Sequence, residues 1–205
     1  MKNKIARIIA LLVVILAIFV MFGWFFDVTF LKSISPNWVS MKFITAICFV
    51  LSGVVLYLSS EKNGTLHDWK DLLLAYTDYV LLLIVSGLGL SIFFGTSTGL
   101  EELFVREPPG AFYTSLPGRP ALFTLIAFLL VGAGGLFTLI GKHYCRRLPI
   151  IEGGLLILIG SVATTGYVIN FPPFFYKFSI DSTAMALHTA ILFILLGIGF
   201  LSIRD

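Results

Sequence analysis

Three positions pair a hydroxyl with a nearby cationic or titratable group: Lys42 lies three residues before Thr45, Arg119 five before Thr124, and His188 immediately before Thr189. A hydroxyl both donates and accepts, and a protonated neighbour adds charge, so each pair suits an anion or another small polar ligand. If the three pairs converge, Lys42, Thr45, Arg119, Thr124, His188 and Thr189 form one ligand-binding pocket. An ionisable group in or at the edge of a membrane is a functional candidate by default. The competing reading is structural: threonine bonds back to its own helix, and long cations at helix ends reach the headgroups.

The threonines belong to a longer skeleton. Residues 41–53 read MKFITAICFVLSG, residues 120–132 read PALFTLIAFLLVG, and residues 185–197 read MALHTAILFILLG. Aligned without gaps, the three share Thr (Thr45, Thr124, Thr189), Phe four later (Phe49, Phe128, Phe193) and Gly four after that (Gly53, Gly132, Gly197). A spacing of i, i+4, i+8 holds these side chains near one helical face, drifting by about 40° per step. That face is expected to pack, with Gly admitting a neighbouring backbone and Phe filling the space beside it.

Composition says what surrounds such helices. Of 205 residues, 58% are hydrophobic and 12% charged, whereas soluble domains carry about 25% charge. The chain is therefore expected to reside in a lipid bilayer. The net charge of +3 comes from basic residues scattered singly, which excludes a nucleic-acid surface. Apolar runs cover residues 5–26, 41–58, 72–94, 120–140, 149–169 and 183–203, each near the roughly 20 residues that a bilayer core demands. The basic start, Lys2, Lys4 and Arg7, resembles a secretory signal, but no small-x-small site follows, so the first run is read as an uncleaved helix.

The expectation is an all-α membrane protein: a single integral membrane domain over residues 1–205, with six transmembrane helices. They form three repeated hairpins (residues 5–58, 72–140 and 149–203) about a pseudo-threefold axis along the membrane normal. Nine basic residues (Lys2, Lys4, Arg7, Lys62, Lys70, Lys142, Arg146, Arg147, Arg204) fall on one side and five (Lys32, Lys42, Arg106, Arg119, Lys177) on the other. By the positive-inside rule both termini are cytoplasmic, in the inner membrane of a bacterial or archaeal cell.

The outer connections are then longer and rich in aromatics and proline, among them Trp38, Phe112, Tyr113 and Tyr176. The second is the most charged, and Trp38, Glu101, Glu102 and Arg106 are its and its neighbour's candidates for contact with a partner. Arg7, Asp78 and Glu152 occupy near-equivalent places in the first helix of each unit. Arg7 is expected to pair with Asp78 or Glu152. Cys48 and Cys145 lie in different segments, and His67, His143 and His188 do not pair across helices, so no disulfide, haem, metal or other cofactor is expected. Catalytic and phosphate-loop motifs are missing, which argues against an enzyme.

The run Pro36-Asn37-Trp38-Val39-Ser40-Met41-Lys42-Phe43, with Thr45-Ala46, Phe49 and Leu51-Ser52-Gly53, resembles the N-terminal multi-helix integral membrane sensor regions found ahead of PAS, histidine kinase or GGDEF modules in prokaryotes. Pro117-Gly118-Arg119-Pro120 with Thr124 and Phe128 resembles a second copy of the motif. This chain ends at Asp205 after the sixth run, without an output domain. The resemblance then implies a non-enzymatic sensor-like or accessory protein that acts through a separate membrane or cytoplasmic signalling partner. Two alternatives stand beside it, a small transporter or channel along the pseudo-threefold axis and a membrane anchor of an enzyme complex. A polar path through the centre favours transport, whereas a dry axis packed with Phe49, Phe128 and Phe193 favours the sensor or structural readings.

Overall fold

A computed structural model describes residues 2–35, 38–61, 69–108, 114, 116–140, 148–175 and 183–203. Pro36, Asn37, Lys62, His67, Phe112, Tyr113, Lys142, His143, Cys145, Arg146, Arg147, Tyr176, Lys177 and Arg204, which enter the sequence reading, lie outside the described residues. Regular structure among the described residues is entirely helical: α1 (Lys2–Phe25), a short α2 (Thr29–Lys32), α3 (Phe43–Glu61), α4 (Trp69–Phe94), α5 (Leu122–Ile140), α6 (Leu148–Val168) and α7 (Leu187–Leu201), with a 3-10 turn at Pro172–Phe174.

Five of these, α1, α3, α4, α5 and α6, are long and apolar enough to cross a membrane. The sixth expected span, α7, has only 15 helical residues, about 22 Å against a hydrocarbon core of roughly 30 Å. The cause is local. Ala186 is extended (φ −67°, ψ 150°), and the Met185 N–H donates to the Phe175 carbonyl at 2.9 Å, so the chain reaches α7 without joining it as helix.

Helices α1 and α3, α4 and α5, and α6 and α7 pack as pairs; α3 also meets α4, α5 meets α6, and α7 meets α1, which closes a ring of neighbours. Helix α3 further touches α5 and α7 and is the most buried of the spans. The outer faces of α1, α4 and α6 expose Ile8, Leu72, Phe93, Ile151 and Leu158, an apolar surface of the kind a bilayer can cover. At the α6–α7 seam, Gly153 and Gly197 face each other so closely that a Cβ on either would lie 2.6 Å from the other's carbonyl oxygen. Small residues let these two backbones touch where lipid supplies no hydrophobic drive.

In the centre, Phe49, Phe128 and Phe193 are fully buried. Their ring centroids are 4.9 Å (Phe49–Phe128), 4.8 Å (Phe49–Phe193) and 5.0 Å (Phe128–Phe193) apart, tilted or edge-on. These are favourable aromatic geometries.

The first and third hairpins close alike. Trp24 Nε1 donates to the Met41 carbonyl and the Tyr167 hydroxyl to the Met185 carbonyl, each at 2.8 Å. Asp27 and Asn170, each four residues after the glycine that precedes that aromatic, both take the left-handed conformation (φ 55° and 53°), which Asp and Asn tolerate best among residues with a side chain. At the end of the bundle nearer the termini, Arg7 pairs with Glu61 of α3 (3.4 Å), not with Asp78 or Glu152. Helix α1 packs on α3 and α7, which puts the Glu61 carboxylate, also bound by Lys70 at 2.8 Å, within its reach.

Candidate functional site

Thr45, Thr124 and Thr189 are each the third residue of their helices, α3, α5 and α7, and all three line one cavity at the hairpin end of the bundle. Ser40, Met41 and Lys42, then Pro120 and Ala121, then Ala184, Met185 and Ala186 complete the wall. Each helix therefore supplies its threonine and the residues just before it. The amide N–H groups of a first helical turn lack intrahelical acceptors and carry the positive end of the helix dipole, so three such ends converge on one point. The cavity is about 10 Å³, room for about one water molecule. Phe49, Phe128 and Phe193 lie one turn further into the same three helices and are not part of its wall.

The basic residues behave differently from one another. Lys42 lines the cavity, but its ammonium is committed: Nζ donates to Glu107 Oε1 (2.5 Å), Glu107 Oε2 (2.7 Å) and Thr114 Oγ1 (2.8 Å). Glu107 also accepts from the Gly118 N–H (2.7 Å) and the Ser40 hydroxyl (3.2 Å). Lys42 and Glu107 are both nearly sealed from solvent, with side chains 4% and 3% exposed. Arg119 is buried but is not part of the cavity wall. Its Nη2 donates to the Ser91 carbonyl (3.1 Å), the Ser91 hydroxyl (3.0 Å) and the Thr96 carbonyl (3.1 Å), where the carbonyls at the end of α4 attract a cation. His188 is half-buried on α7, outside the wall, and its Nδ1 is buried without a partner among the described residues.

The candidates for outer contact also divide. Glu101 is buried; its carboxylate meets the Ser91 hydroxyl and accepts from Ser97 Oγ and Thr98 Oγ1 (3.2 Å each). Glu102 accepts from the Glu107 N–H at 3.0 Å. Arg106 is exposed, and Trp38 is 37% exposed while its ring lies 5.3 Å from that of Tyr167. Gly118 (φ 71°) passes so close to the Glu101 backbone that a Cβ there would collide with its carbonyl. The connection from α4 to α5 is thus tied down at two buried ionic clusters, one on Lys42 and one on Arg119. Sequence reasoning did not pair Lys42 with Glu107 or single out Ser91, because several acidic residues compete in that connection and one serine in an apolar run carries no signal.

Burial alone would raise the Glu101 carboxyl, but hydrogen bonds from Ser91, its own backbone, Thr98 and Ser97 outweigh it and hold the group below the ordinary value of 4.5. A carboxyl lowered on folding stabilises fully above its unfolded value and loses that contribution as pH falls through its folded value. The thermal stability of the wild type should therefore fall as pH drops below about 4.5, with Glu101→Gln less stable at neutral pH and flatter across that window. Superimposable pH profiles would mean that Glu101 is not held this way.

Comparison with protein-family models, curated proteins and solved structures gives no match, so the functional reading rests on this chain's own residues.

Proposed function

We propose that this chain is a non-enzymatic, sensor-like or accessory integral membrane protein of six spans, with α7 and the extended residues before it making the last. Its three hairpins are repeats about a pseudo-threefold axis, its termini are cytoplasmic, and the hairpin end faces outward with a small polar pocket. The ring of helix contacts, the matched closures of the first and third hairpins and the common depth of the three threonines support the repeat. The excess of basic residues at the other end supports the orientation. Resemblance to prokaryotic membrane sensor regions found ahead of signalling modules supports the sensor-like role.

The single observation that carries the reading over transport is the sealed axis. One turn deeper on the three helices whose threonines line the cavity, three mutually packed phenylalanines have no solvent exposure, so a polar ligand that enters meets a closed core. Purified protein in liposomes should pass small anions no faster than protein-free vesicles. The same protein in nanodiscs should be stabilised saturably by a monatomic anion from a panel of halides, and Thr124→Val should abolish that shift. Flux above the empty vesicles would replace this reading with transport, and no stabilisation by any of the panel would remove the anion pocket.

A further inference from the structure

Deeper in the bundle, towards the termini, lie two carboxyls that nothing above employs. Asp78 of α4 is fully buried and Glu152 of α6 is 6% exposed. Asp78 Oδ1 and Oδ2 and Glu152 Oε1 have no hydrogen-bond partner among the described residues. They approach adjacent glycines of α5: a Cβ on Gly134 would collide with Glu152 Oε2, and one on Gly135 with Asp78 Oδ1. Two successive glycines therefore let both carboxyls reach the same turn of one helix. Helix α3 closes a further side, since Val55 Cγ1 lies 3.1 Å from where a Gly135 Cβ would be. Ser52 and Ser59 lie three residues before and four after Val55, on the same side of α3. Both are buried, and both hydroxyl oxygens also lack a partner among the described residues.

No cation among the described residues answers these carboxyls. Helix α5 has no ionisable residue. On α3, Glu61 is held by Arg7 of α1 and by Lys70, Cys48 is a buried thiol about two turns before Val55, and Tyr57 is partly open to the surroundings. On α4, Lys70 and Asp71 are in the first turn, about two turns from Asp78, and Tyr76 and Tyr79 are exposed. The titratable groups His188 of α7 and Tyr167 of α6 are at the opposite end of their helices. An ionised carboxylate buried without a counter-ion is far costlier than the neutral acid, and two carboxyls that share a site oppose each other's ionisation.

We propose that Asp78 and Glu152 form a proton-binding site, in which both carboxyls are held as neutral acids against Gly134 and Gly135 and whose deprotonation drives α4 and α6 away from α5. The inference stands apart from the reading of the hairpin-end cavity, since it concerns other residues at another depth. Infrared spectra and thermal unfolding of the full chain in nanodiscs, from about pH 5 to about pH 9, cover the range above ordinary carboxylate values. The expected result is a carbonyl band of protonated carboxylic acid at neutral pH that disappears in Asp78→Asn/Glu152→Gln. The wild type should also lose stability as pH rises, because the folded state then holds more protons than the unfolded one, and the double variant should be flat. Absence of the band, or a flat wild-type profile, overturns the proposal. So does saturable restoration of stability at high pH by sodium or potassium, which would make the pair a cation site. If the double variant fails to express, the wild-type band and pH profile still decide.

Discussion

Lys42→Met should lower the stability of the folded protein by about 3–5 kcal/mol, the cost of leaving one member of a buried ion pair uncompensated. The magnitude follows from where the pair sits. Both side chains are nearly sealed, so water cannot take over when the ammonium is lost, and among the described residues Glu107 keeps the Gly118 N–H and the Ser40 hydroxyl as donors. Thermal or denaturant unfolding in detergent reads the loss directly.

The informative control is Lys42→Met/Glu107→Gln. The amide oxygen of glutamine still accepts from Gly118, so no backbone donor is stranded, and no buried charge remains. Most of the lost stability should return, because exchanging a whole buried pair for neutral groups is often near neutral. Glu107→Leu in the same background should recover less, by about 1–3 kcal/mol, since the Gly118 N–H would then be buried and unpaired. If Lys42→Met alone costs less than about 1 kcal/mol, in the range of solvated surface pairs, the connection from α4 to α5 is not clamped by this contact. The pair also changes the view of the cavity: Lys42 contributes a wall and a held positive charge, not a free ammonium for a ligand.

The gapless Thr–Phe–Gly skeleton made the inner row of the bundle legible, because a spacing of four on a helix is a statement about a face. Thr45, Thr124 and Thr189 line one cavity, and Phe49, Phe128 and Phe193 meet in one cluster. Periodicity had nothing to say about direction beyond the helix ends. Lys42 and Arg119 occupy comparable positions before their helices, yet Lys42 turns to Glu107 and Arg119 to Ser91 and Thr96. These partners are brought by an irregular connection whose path no short-range pattern records. Asp27 and Asn170, in contrast, are residues suited to a left-handed turn, each three residues after a Gly-aromatic pair, a signal present in the sequence that a search for helix faces passes over. The length of α7 was not readable, because hydropathy counts apolar residues whether or not they are helical, and residues 183–186 are apolar or small without joining the helix.

Phe128→Ala should be the second most damaging single change, at about 3 kcal/mol, the lower end of the range for removing a buried aromatic ring. The lower end is expected for a physical reason. In a soluble core, part of that cost is the lost transfer of the ring out of water, but a membrane helix leaves its partners for lipid, which is as apolar as the core. What remains is the packing term: the ring contacts at 4.9 and 5.0 Å to Phe49 and Phe193, and the void left between them. Adding Phe49→Ala should cost less than its single effect, since the two rings share one neighbourhood and their losses do not add. An apolar void of this kind stays dry, so vesicles carrying Phe128→Ala should leak ions no faster than those carrying the wild type, despite the weaker fold. Unchanged stability in Phe128→Ala would mean that the three rings are not the packed seal. Ion leakage on removal of a single ring would mean that one side chain is all that separates the threonine cavity from a conducting path, and the protein would then be a gated channel held shut by its own core.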